Sequence, residues 1–270
     1  MPHAKLEDEV GDIIGKARRG LGLSPRQLAQ AAGLPVTTIV NIEAGLGTPG
    51  RDDLARLATA LNLSAPKLAA IALGGWQPER QALDHWGHVA EIRSVYGDYD
   101  VMCYLQWDDA GNAALFDTGV DANAVLQVME KNKLRLRGVF ITHNHPDHIG
   151  ALAQIRKHTP HERIEHMESQ FPDGFSIQMN GLSIQAVPTH GHSEDAMTFI
   201  VHDRADRPAI AYVGDSIFAG SVGGAGASYP LLLQNVREHI LSLPADTLIC
   251  PGHGPLTTVA EEKAHNPFFP

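Results

Sequence analysis

Residues 142–148 read Thr-His-Asn-His-Pro-Asp-His, and four of these seven side chains can bind a metal ion. They follow an apolar run, residues 136–141, which predicts a buried strand. Neutral imidazole and carboxylate are ligands that zinc, iron and manganese accept. Histidines crowded this closely would repel one another on protonation, so the heptapeptide predicts a metal site, and its spacing suggests two ions. The candidate ligands in it are His143, His145, Asp147 and His148.

Three downstream turns repeat this layout, because each follows a run of apolar residues. His192 lies in Val-Pro-Thr-His-Gly-His-Ser, just after the alternating residues 182–187. Asp215 ends Ala-Ile-Ala-Tyr-Val-Gly-Asp, and His253 lies in Leu-Ile-Cys-Pro-Gly-His-Gly-Pro. A hydrophobic strand that ends in a turn carrying His or Asp therefore occurs four times, which is stronger evidence than any single histidine.

These motifs, in this order, resemble those of the metallo-β-lactamase fold hydrolases, and the resemblance covers about residues 80–270. The Asp-Thr-Gly sequence at 117–119 is similar to an early turn with a structural role near the metals. Residues 257–268 resemble the end of the glyoxalase II-like branch. The resemblance implies an α/β fold in which two sheets are sandwiched between helices, the αββα sandwich.

The resemblance also implies roles for seven residues. One metal would be held by His143, His145 and His192, the other by Asp147, His148 and His253, with Asp215 bridging both. Asp147 would also orient the attacking water. Two divalent ions, zinc by expectation and iron or manganese as alternatives, would lower the pKa of a shared water to about 7 and supply a bound hydroxide.

The substrate implied by this branch is a small-molecule thioester such as a hydroxyacylglutathione, with other esters and lactones also open. Typical glyoxalase II enzymes have an added C-terminal helical region with basic residues for glutathione, and no such region follows His253 in this sequence. We therefore expect this contact with glutathione to be absent or differently built.

Two other functions remain open. A mononuclear iron persulfide dioxygenase would use His143, His192 and Asp215 as a triad of two histidines and one carboxylate. A transcription regulator would use the metal domain only to sense a ligand, although the complete ligand set argues against a catalytically inactive sensor.

The first 75 residues have a different pattern, with short helical stretches separated by glycine. Ser24 is a predicted N-cap before Pro25, and Gly33 ends that helix. Residues 22–45 resemble the helix-turn-helix domains of the Xre/Cro-like class. In that class the second helix of the motif, here Val36–Glu43, enters the major groove of DNA.

The resemblance makes Thr37, Thr38 and Asn41 candidates for base contacts and places Gln27 near the phosphates. The charge pattern does not support strong DNA binding. Residues 1–75 have a net charge of about +1, residues 76–270 about −11, and residues 36–43 contain no basic side chain. The alternative is a helical bundle kept for dimerisation or partner docking. If the domain does bind DNA, we expect a homodimer that reads paired half-sites. The only basic cluster, Lys16, Arg18 and Arg19, is interpreted equally well as a solvated helix face.

The two resemblances imply an all-α domain, 1–75, and a hydrolase domain, 76–270, joined by a short Gly-Gly-Trp-Gln-Pro linker that should leave the two in contact. No run of 18 apolar residues occurs and the N-terminus is acidic, so we expect a cytoplasmic protein without a membrane partner. Cys103 and Cys250 lie in apolar strands and are expected to be buried thiols.

Overall fold

The computed structural model describes residues 5–159, 166–168 (backbone only), 171–172, 174–179, 181–204 and 206–270. Its N-terminal part is a bundle of helices: α1 (Val10–Gly20), α2 (Pro25–Ala32), α3 (Val36–Glu43), α4 (Arg51–Leu61) and α5 (Ala65–Gly74). We call these helices the N-terminal bundle. The bounds of α2 and α3 are those predicted from the sequence.

Local signals explain where the helices of the motif begin and end. The Ser24 side chain accepts a hydrogen bond from the backbone N–H of Gln27, while Gln27 reaches back to the backbone N–H of Ser24. Gly33 ends α2 with φ of 64°, a left-handed conformation that glycine adopts without steric cost. Ile39 and Ile42 are buried and point α3 into the bundle core.

The remaining chain forms two main sheets with helices between their strands. The first sheet has the order β1 (His88–Tyr96), β2 (Tyr99–Trp107), β3 (Asn112–Phe116), β4 (Arg135–Phe140) and β5 (His166–Glu168). The second has the order β13 (Thr257–Thr258), β12 (Leu248–Pro251), β9 (Ile210–Gly214), β8 (Met197–His202), β7 (Leu182–Pro188) and β6 (Ser176–Met179). A small hairpin joins β10 (Ile217–Phe218) to β11 (Ser221–Val222). The helices are α6 (Ala122–Asn132), α7 (Pro146–Ile149), α8 (Leu152–His158), α9 (Tyr229–Asn235) and α10 (Val259–His265).

Apolar cores hold these layers together. An aromatic core that includes Phe116, Phe140, Phe199 and Tyr212 lies between the two sheets. A second core joins the outer face of the first sheet to α6 and α8. This arrangement confirms the αββα sandwich expected from the motifs.

A third core is shared by the N-terminal bundle and the sandwich. Ile13, Leu54 and Leu68 belong to the same buried cluster as Val213 and Leu232. At Gly20 a side chain would collide with the ring of Tyr229, which shows how closely α1 packs on α9. The bundle therefore covers the second sheet directly, as the short linker predicts.

The C-terminal tail adds polar contacts within the sandwich and a hydrogen bond to the N-terminal bundle. The buried carboxylate of Glu262 accepts hydrogen bonds from the Gly220 backbone N–H, from Thr257 and from Asn266. Burial raises the pKa of Glu262 to about 7. Next to the bundle, the Ser64 N–H donates to the Pro267 carbonyl at 2.8 Å. Among the helices described, none is long and apolar enough to cross a membrane.

Candidate metal centre

The seven candidate ligands meet at one end of the sandwich because each follows the carboxyl end of a strand. His143, His145, Asp147 and His148 follow β4 of the first sheet. His192, Asp215 and His253 follow β7, β9 and β12 of the second sheet. Side chains from turns that are as many as 110 residues apart in sequence (143 to 253) therefore converge between the two sheets.

Four of them form a first group whose ligand atoms lie within 4.8 Å of one another: His143, His145, His192 and Asp215. The Nδ1 atom of His145 lies 2.9 Å from Nε2 of His143 and 3.1 Å from Nε2 of His192. Oδ2 of Asp215 lies 3.5 Å from Nε2 of His192. Three ring nitrogens and one carboxylate oxygen thus face a common point.

The second group consists of Asp147, His148 and His253. Oδ2 of Asp147 lies 3.3 Å from Nε2 of His253 and 3.8 Å from Nε2 of His148. Asp215 is adjacent to this group as well, since its Oδ1 lies 3.3 Å from Nε2 of His148 and its Oδ2 lies 3.5 Å from Nε2 of His253. One carboxylate therefore lies between both groups.

The outward nitrogens of these rings are held by oxygen atoms. Nδ1 of His148 pairs with Asp117 at 2.8 Å, and Nδ1 of His253 with the Asp100 carbonyl at 2.6 Å. Nδ1 of His192 pairs with the Gly224 carbonyl at 2.7 Å. Such contacts fix the tautomer and leave Nε2 free, as they do around metal-bound histidines.

Asp117 organises the turn that carries the first histidines. Besides His148, it accepts hydrogen bonds from the backbone N–H and the hydroxyl of Thr142, each at 2.7 Å. The Thr142 hydroxyl in turn lies 3.1 Å from Nδ1 of His143. The structural role near the site that the Asp-Thr-Gly motif implies matches these contacts.

Two buried polar atoms in the cluster, Nε2 of His148 and Oδ1 of Asp215, lie 3.3 Å apart, but neither has the geometry of a hydrogen bond with any atom in the described part of the chain. Buried polar atoms without a partner are rare in folded proteins, and a bound ion can satisfy them. Both atoms lie at the second group. With five imidazoles and two carboxylates in the cluster, the donor set fits two divalent transition-metal ions.

In the metal-free protein, the pKa values of the clustered histidines are shifted in opposite directions. Burial and the neighbouring imidazoles lower the pKa of His143 to about 2. At His253 burial opposes the charge, but hydrogen bonds to Asp147 and Asp215 outweigh it and raise the pKa to about 10. Attraction to Asp215 and Asp117 likewise outweighs burial and raises the pKa of His148. Metal binding would have to displace protons from these two rings.

Close backbone approach completes the site. A side chain at Gly252 would lie 2.5 Å from both Oδ1 of Asp215 and Cε1 of His148. Only glycine fits between His253 and its strand at this point. The Pro-Gly-His-Gly motif is therefore explained by packing as well as by its histidine.

The residues proposed for DNA contact lie on a different surface. Thr37 and Asn41 are exposed on the outer face of α3, and Thr38 is half-buried. Their exposed neighbours are apolar, Val36 and Val40. Gln27 is exposed, but its carboxamide oxygen is engaged by the Ser24 backbone N–H at 2.9 Å. The structure thus keeps these four residues apart from the metal cluster.

The interpretation of the basic cluster as a solvated face is wrong for two of its three residues. Arg18 is buried and pairs with Glu43 of α3 through two hydrogen bonds of 2.5 and 2.7 Å. The side chain of Lys16 is only 15% exposed and contacts Asp8 and the Val222 carbonyl of the hairpin. Both cations join buried surfaces, so they are not available to DNA phosphates.

The entrance to the metal cluster contains residues that no sequence motif selects. A cavity of about 380 Å³ is lined by Asp147, Asp215 and His253 together with Glu7 and Lys16 of the N-terminal segment. A larger groove of about 960 Å³ shares Glu7 and Tyr99 with it. Glu7 and Lys16 could not be predicted, because their position depends on how the bundle packs on the sandwich.

Comparison with known families agrees with this architecture. Residues 96–180 match the metallo-beta-lactamase superfamily, and residues 14–68 match a helix-turn-helix family. The chain therefore carries a segment that matches a helix-turn-helix family, followed by a segment that matches the metallo-beta-lactamase superfamily. Its relatives in that superfamily support a hydrolase, and the fold implies divalent metal ions.

Individual relatives match the sandwich. The hydroxyacylglutathione hydrolase GloC of Haemophilus influenzae is 29% identical over 198 residues, which cover 62% of this chain and 92% of GloC. The crystal structure of the B3 metallo-beta-lactamase BLEG-1 is 26% identical with a TM-score of 0.58, covering 67% of this chain and 99% of that one. ETHE1 from Myxococcus xanthus is 26% identical with a TM-score of 0.57, covering 66% and 83%.

Proposed function

We propose that the protein is a dinuclear metal-dependent hydrolase acting on a thioester, with a hydroxyacylglutathione as the first substrate to test. The observation that carries the proposal is the position of Asp215, whose two carboxylate oxygens lie within 3.5 Å of imidazole nitrogens in both ligand groups. A shared anion between two donor sets is what a pair of cations about 3.5–4 Å apart requires.

In this proposal His143, His145 and His192 hold one ion, Asp147, His148 and His253 hold the other, and Asp215 contacts both. Bound there, two divalent cations would lower the pKa of a water molecule and polarise the substrate carbonyl. We assign residues 1–75 and 76–270 as the two domains.

Asp147 is the proposed catalytic residue among the ligands. It lines the cavity, and its Oδ2 atom is held 3.3 Å from Nε2 of His253. This hydrogen bond, with the nearby His148, outweighs burial and lowers the pKa of Asp147 below its ordinary value. The carboxylate is therefore ionised at neutral pH and can accept a hydrogen bond from the attacking water, which orients it toward the carbonyl.

The hydroxyacylglutathione substrate is supported by two observations. GloC, whose name gives that activity, is 29% identical over 62% of this chain. The C-terminal tail that resembles the glyoxalase II-like branch is built into the structure, with Glu262 and Asn266 holding the hairpin beside the ligand turn. These observations favour a thioester over a β-lactam, although BLEG-1 shares the fold.

The decisive experiment measures metal content and turnover on the same sample. Protein purified without chelator is analysed for zinc, iron and manganese. Hydrolysis of S-lactoylglutathione is then measured on the same sample, and hydrolysis of the β-lactam nitrocefin is measured for comparison. About two metals per chain with thioester hydrolysis would support the proposal. One iron per chain, no hydrolysis and oxygen uptake with glutathione persulfide would favour the dioxygenase instead.

For the N-terminal domain we propose that the outer face of α3 is the DNA-reading surface, with Thr37, Thr38 and Asn41 toward bases and Gln27 toward the backbone. The support is the helix-turn-helix match and the exposure of this face. A mobility-shift assay on the DNA upstream of the coding region tests it, and the absence of any sequence preference would reject it.

A further inference from the structure

The mouth of the metal cavity has a wall that comes from the helix-turn-helix domain. Lys16 of α1 and Glu7 of the segment before it line the 380 Å³ cavity together with Asp147 and Asp215. The backbone of Glu7 packs against the turn that carries His253, since a side chain at Gly254 would lie 3.1 Å from the Glu7 nitrogen. The N-terminal segment is therefore part of the boundary of the proposed active site.

Contacts with the hairpin hold Lys16 in this wall. Its Nζ atom donates to Oδ2 of Asp8 at 2.5 Å and to the Val222 carbonyl at 2.9 Å, and it lies 4.8 Å from the centre of the Phe218 ring. Asp8 is itself fixed by a hydrogen bond from Ser221. The ammonium group is thus anchored to the β10–β11 hairpin, which follows Asp215 closely in sequence.

The anchored ammonium still has unused hydrogen-bonding capacity. A lysine ammonium carries three N–H donors, and the described residues accept two of them. An anion that entered the cavity could take the third, since Lys16 lines that cavity. A charge-assisted hydrogen bond of this kind, from a side chain that is already ordered, costs little conformational entropy on binding.

The adjoining groove provides room for the remainder of a large substrate. It holds about 960 Å³, meets the smaller cavity at Glu7 and Tyr99, and is bordered by residues after the linker that include Arg80. Its lining holds three cations (Lys5, Arg80 and Arg93) and five carboxylates (Glu7, Glu79, Glu91, Asp98 and Asp100), so it provides space and not a positive surface. A thioester carrier longer than the acyl group would extend from the metals past Lys16 into this groove.

We propose that Lys16 is a substrate-recognition residue and that the helix-turn-helix domain thereby forms part of the hydrolase active site. The ligand class is a thioester or ester whose non-reacting part carries a carboxylate. This inference rests on the proposed function for its substrate class. It also gives the N-terminal domain a role that does not depend on DNA.

The test compares two lactoyl thioesters that differ in their carrier: S-lactoylglutathione, which has carboxylates, and the thioester of N-acetylcysteamine, which has none. Removing Lys16 alone would leave Asp8 buried without its cation, so the full-length variant is the double change Asp8→Asn with Lys16→Met. Asp8→Asn alone keeps the ammonium and is the matched control. Lys131→Met, on the exposed surface of α6, controls for loss of a lysine elsewhere.

We expect kcat/KM to be higher for the glutathione thioester than for the N-acetylcysteamine thioester in three proteins: the wild type, Asp8→Asn and Lys131→Met. The double variant should lose about tenfold or more of that preference through KM, with kcat and metal content maintained. An unchanged preference in a double variant with normal metal content and Tm would overturn the inference.

A binding measurement separates this inference from the proposed reaction. S-Methylglutathione, a thioether that cannot be hydrolysed, is titrated calorimetrically into the metal-loaded wild type and both Asp8 variants. Binding that weakens about tenfold only in the double variant supports the role of Lys16, even if neither thioester is hydrolysed and the thioesterase proposal fails. Equal affinity in the wild type and the double variant, or no binding at millimolar ligand, contradicts it.

Discussion

The metal cluster and the outer face of α3 are both marked by family motifs, yet they differ in how complete they are. At the cluster His148 and His253 have supporting contacts on their outward nitrogens, and two polar atoms remain for an ion. On α3 the exposed side chains are small, neutral or apolar, with Val40 51% exposed. A sequence motif can therefore be present with its fold although not all of the chemistry associated with it is present.

The two surfaces also differ in their connection to the rest of the molecule. The hairpin after Asp215 contacts the N-terminal bundle and the segment before it through Lys16 and Asp8. The exposed outer face of α3 is turned to solvent, while its inner face packs Ile39 and Ile42. The helix-turn-helix domain is therefore tied to the catalytic side by α1 and remains open on the side of α3.

The largest effect is expected from Asp215→Asn at the metal cluster. Loss of the shared charge leaves both ion positions without a bridging anion, so metal content should fall below two per chain. Activity should fall by at least about a thousandfold, which corresponds to about 4 kcal/mol in the barrier. Elemental analysis and kcat measured on the same sample provide the check.

Asp206→Asn is the matched control, because Asp206 is exposed and its ion-pair partner Arg204 lies on the same surface loop. It should retain metal and activity. An Asp215→Asn protein with two tightly bound metals and normal turnover would show that the shared carboxylate is not essential, and the contrast with α3 would then lose its main support.

A smaller effect is expected from a change of pH, which should alter the stability of the metal-free protein. The raised pKa values of His253 and His148 mean that their charged forms stabilise the metal-free protein. That contribution is complete below the unfolded pKa of about 6.5 and is lost as pH rises toward the folded value, about 10 for His253. The Tm of chelator-treated protein should therefore fall by several degrees between about pH 6.5 and 8.5.

Stabilisation by zinc should have the opposite pH dependence, since zinc binds neutral imidazole. The rise in Tm on adding zinc should grow across the same pH range, and calorimetry should detect proton release. His253→Gln should flatten both trends. A metal-free Tm that stays constant across this range would contradict the assignment of charged histidines to the metal-free cluster.

The smallest effect is expected at α3. Duplex DNA should bind the wild type with a Kd weaker than about 1 μM at about 150 mM salt, because the sequence of this helix contains no cation. Thr37→Lys and Asn41→Lys should each strengthen non-specific binding several-fold and steepen the salt slope by about one. Fluorescence anisotropy at several salt concentrations measures both quantities.

Gln234→Lys places an equal charge on α9, away from α3, and should leave DNA binding nearly unchanged. A wild-type salt slope of about six or more would mean that other cations hold the DNA. In that case the difference between the two surfaces would concern only α3 and not the whole domain.

The amino-acid sequence by itself determined the local structure and the repeated ligand turns. Capping residues such as Ser24 and Gly33 act on their immediate neighbours, so the bounds of α2 could be predicted. The alternation of apolar strand and His or Asp turn likewise depends on short stretches. It marked the seven candidate ligands that the structure brings into two adjacent groups, while the two-sheet architecture followed from the resemblance of these motifs to a known family.

Only the tertiary structure decided which surfaces of the N-terminal bundle meet the sandwich. Lys16 and Arg18 are similar in sequence context to exposed residues of an amphipathic helix, yet one faces the metal cavity and the other is buried against Glu43. Their partners Val222 and Glu43 lie 206 and 25 residues away along the chain, respectively. Contacts over such separations follow from the shared apolar core, which no local pattern encodes, and they place a helix of the helix-turn-helix domain at the entrance to the metal site.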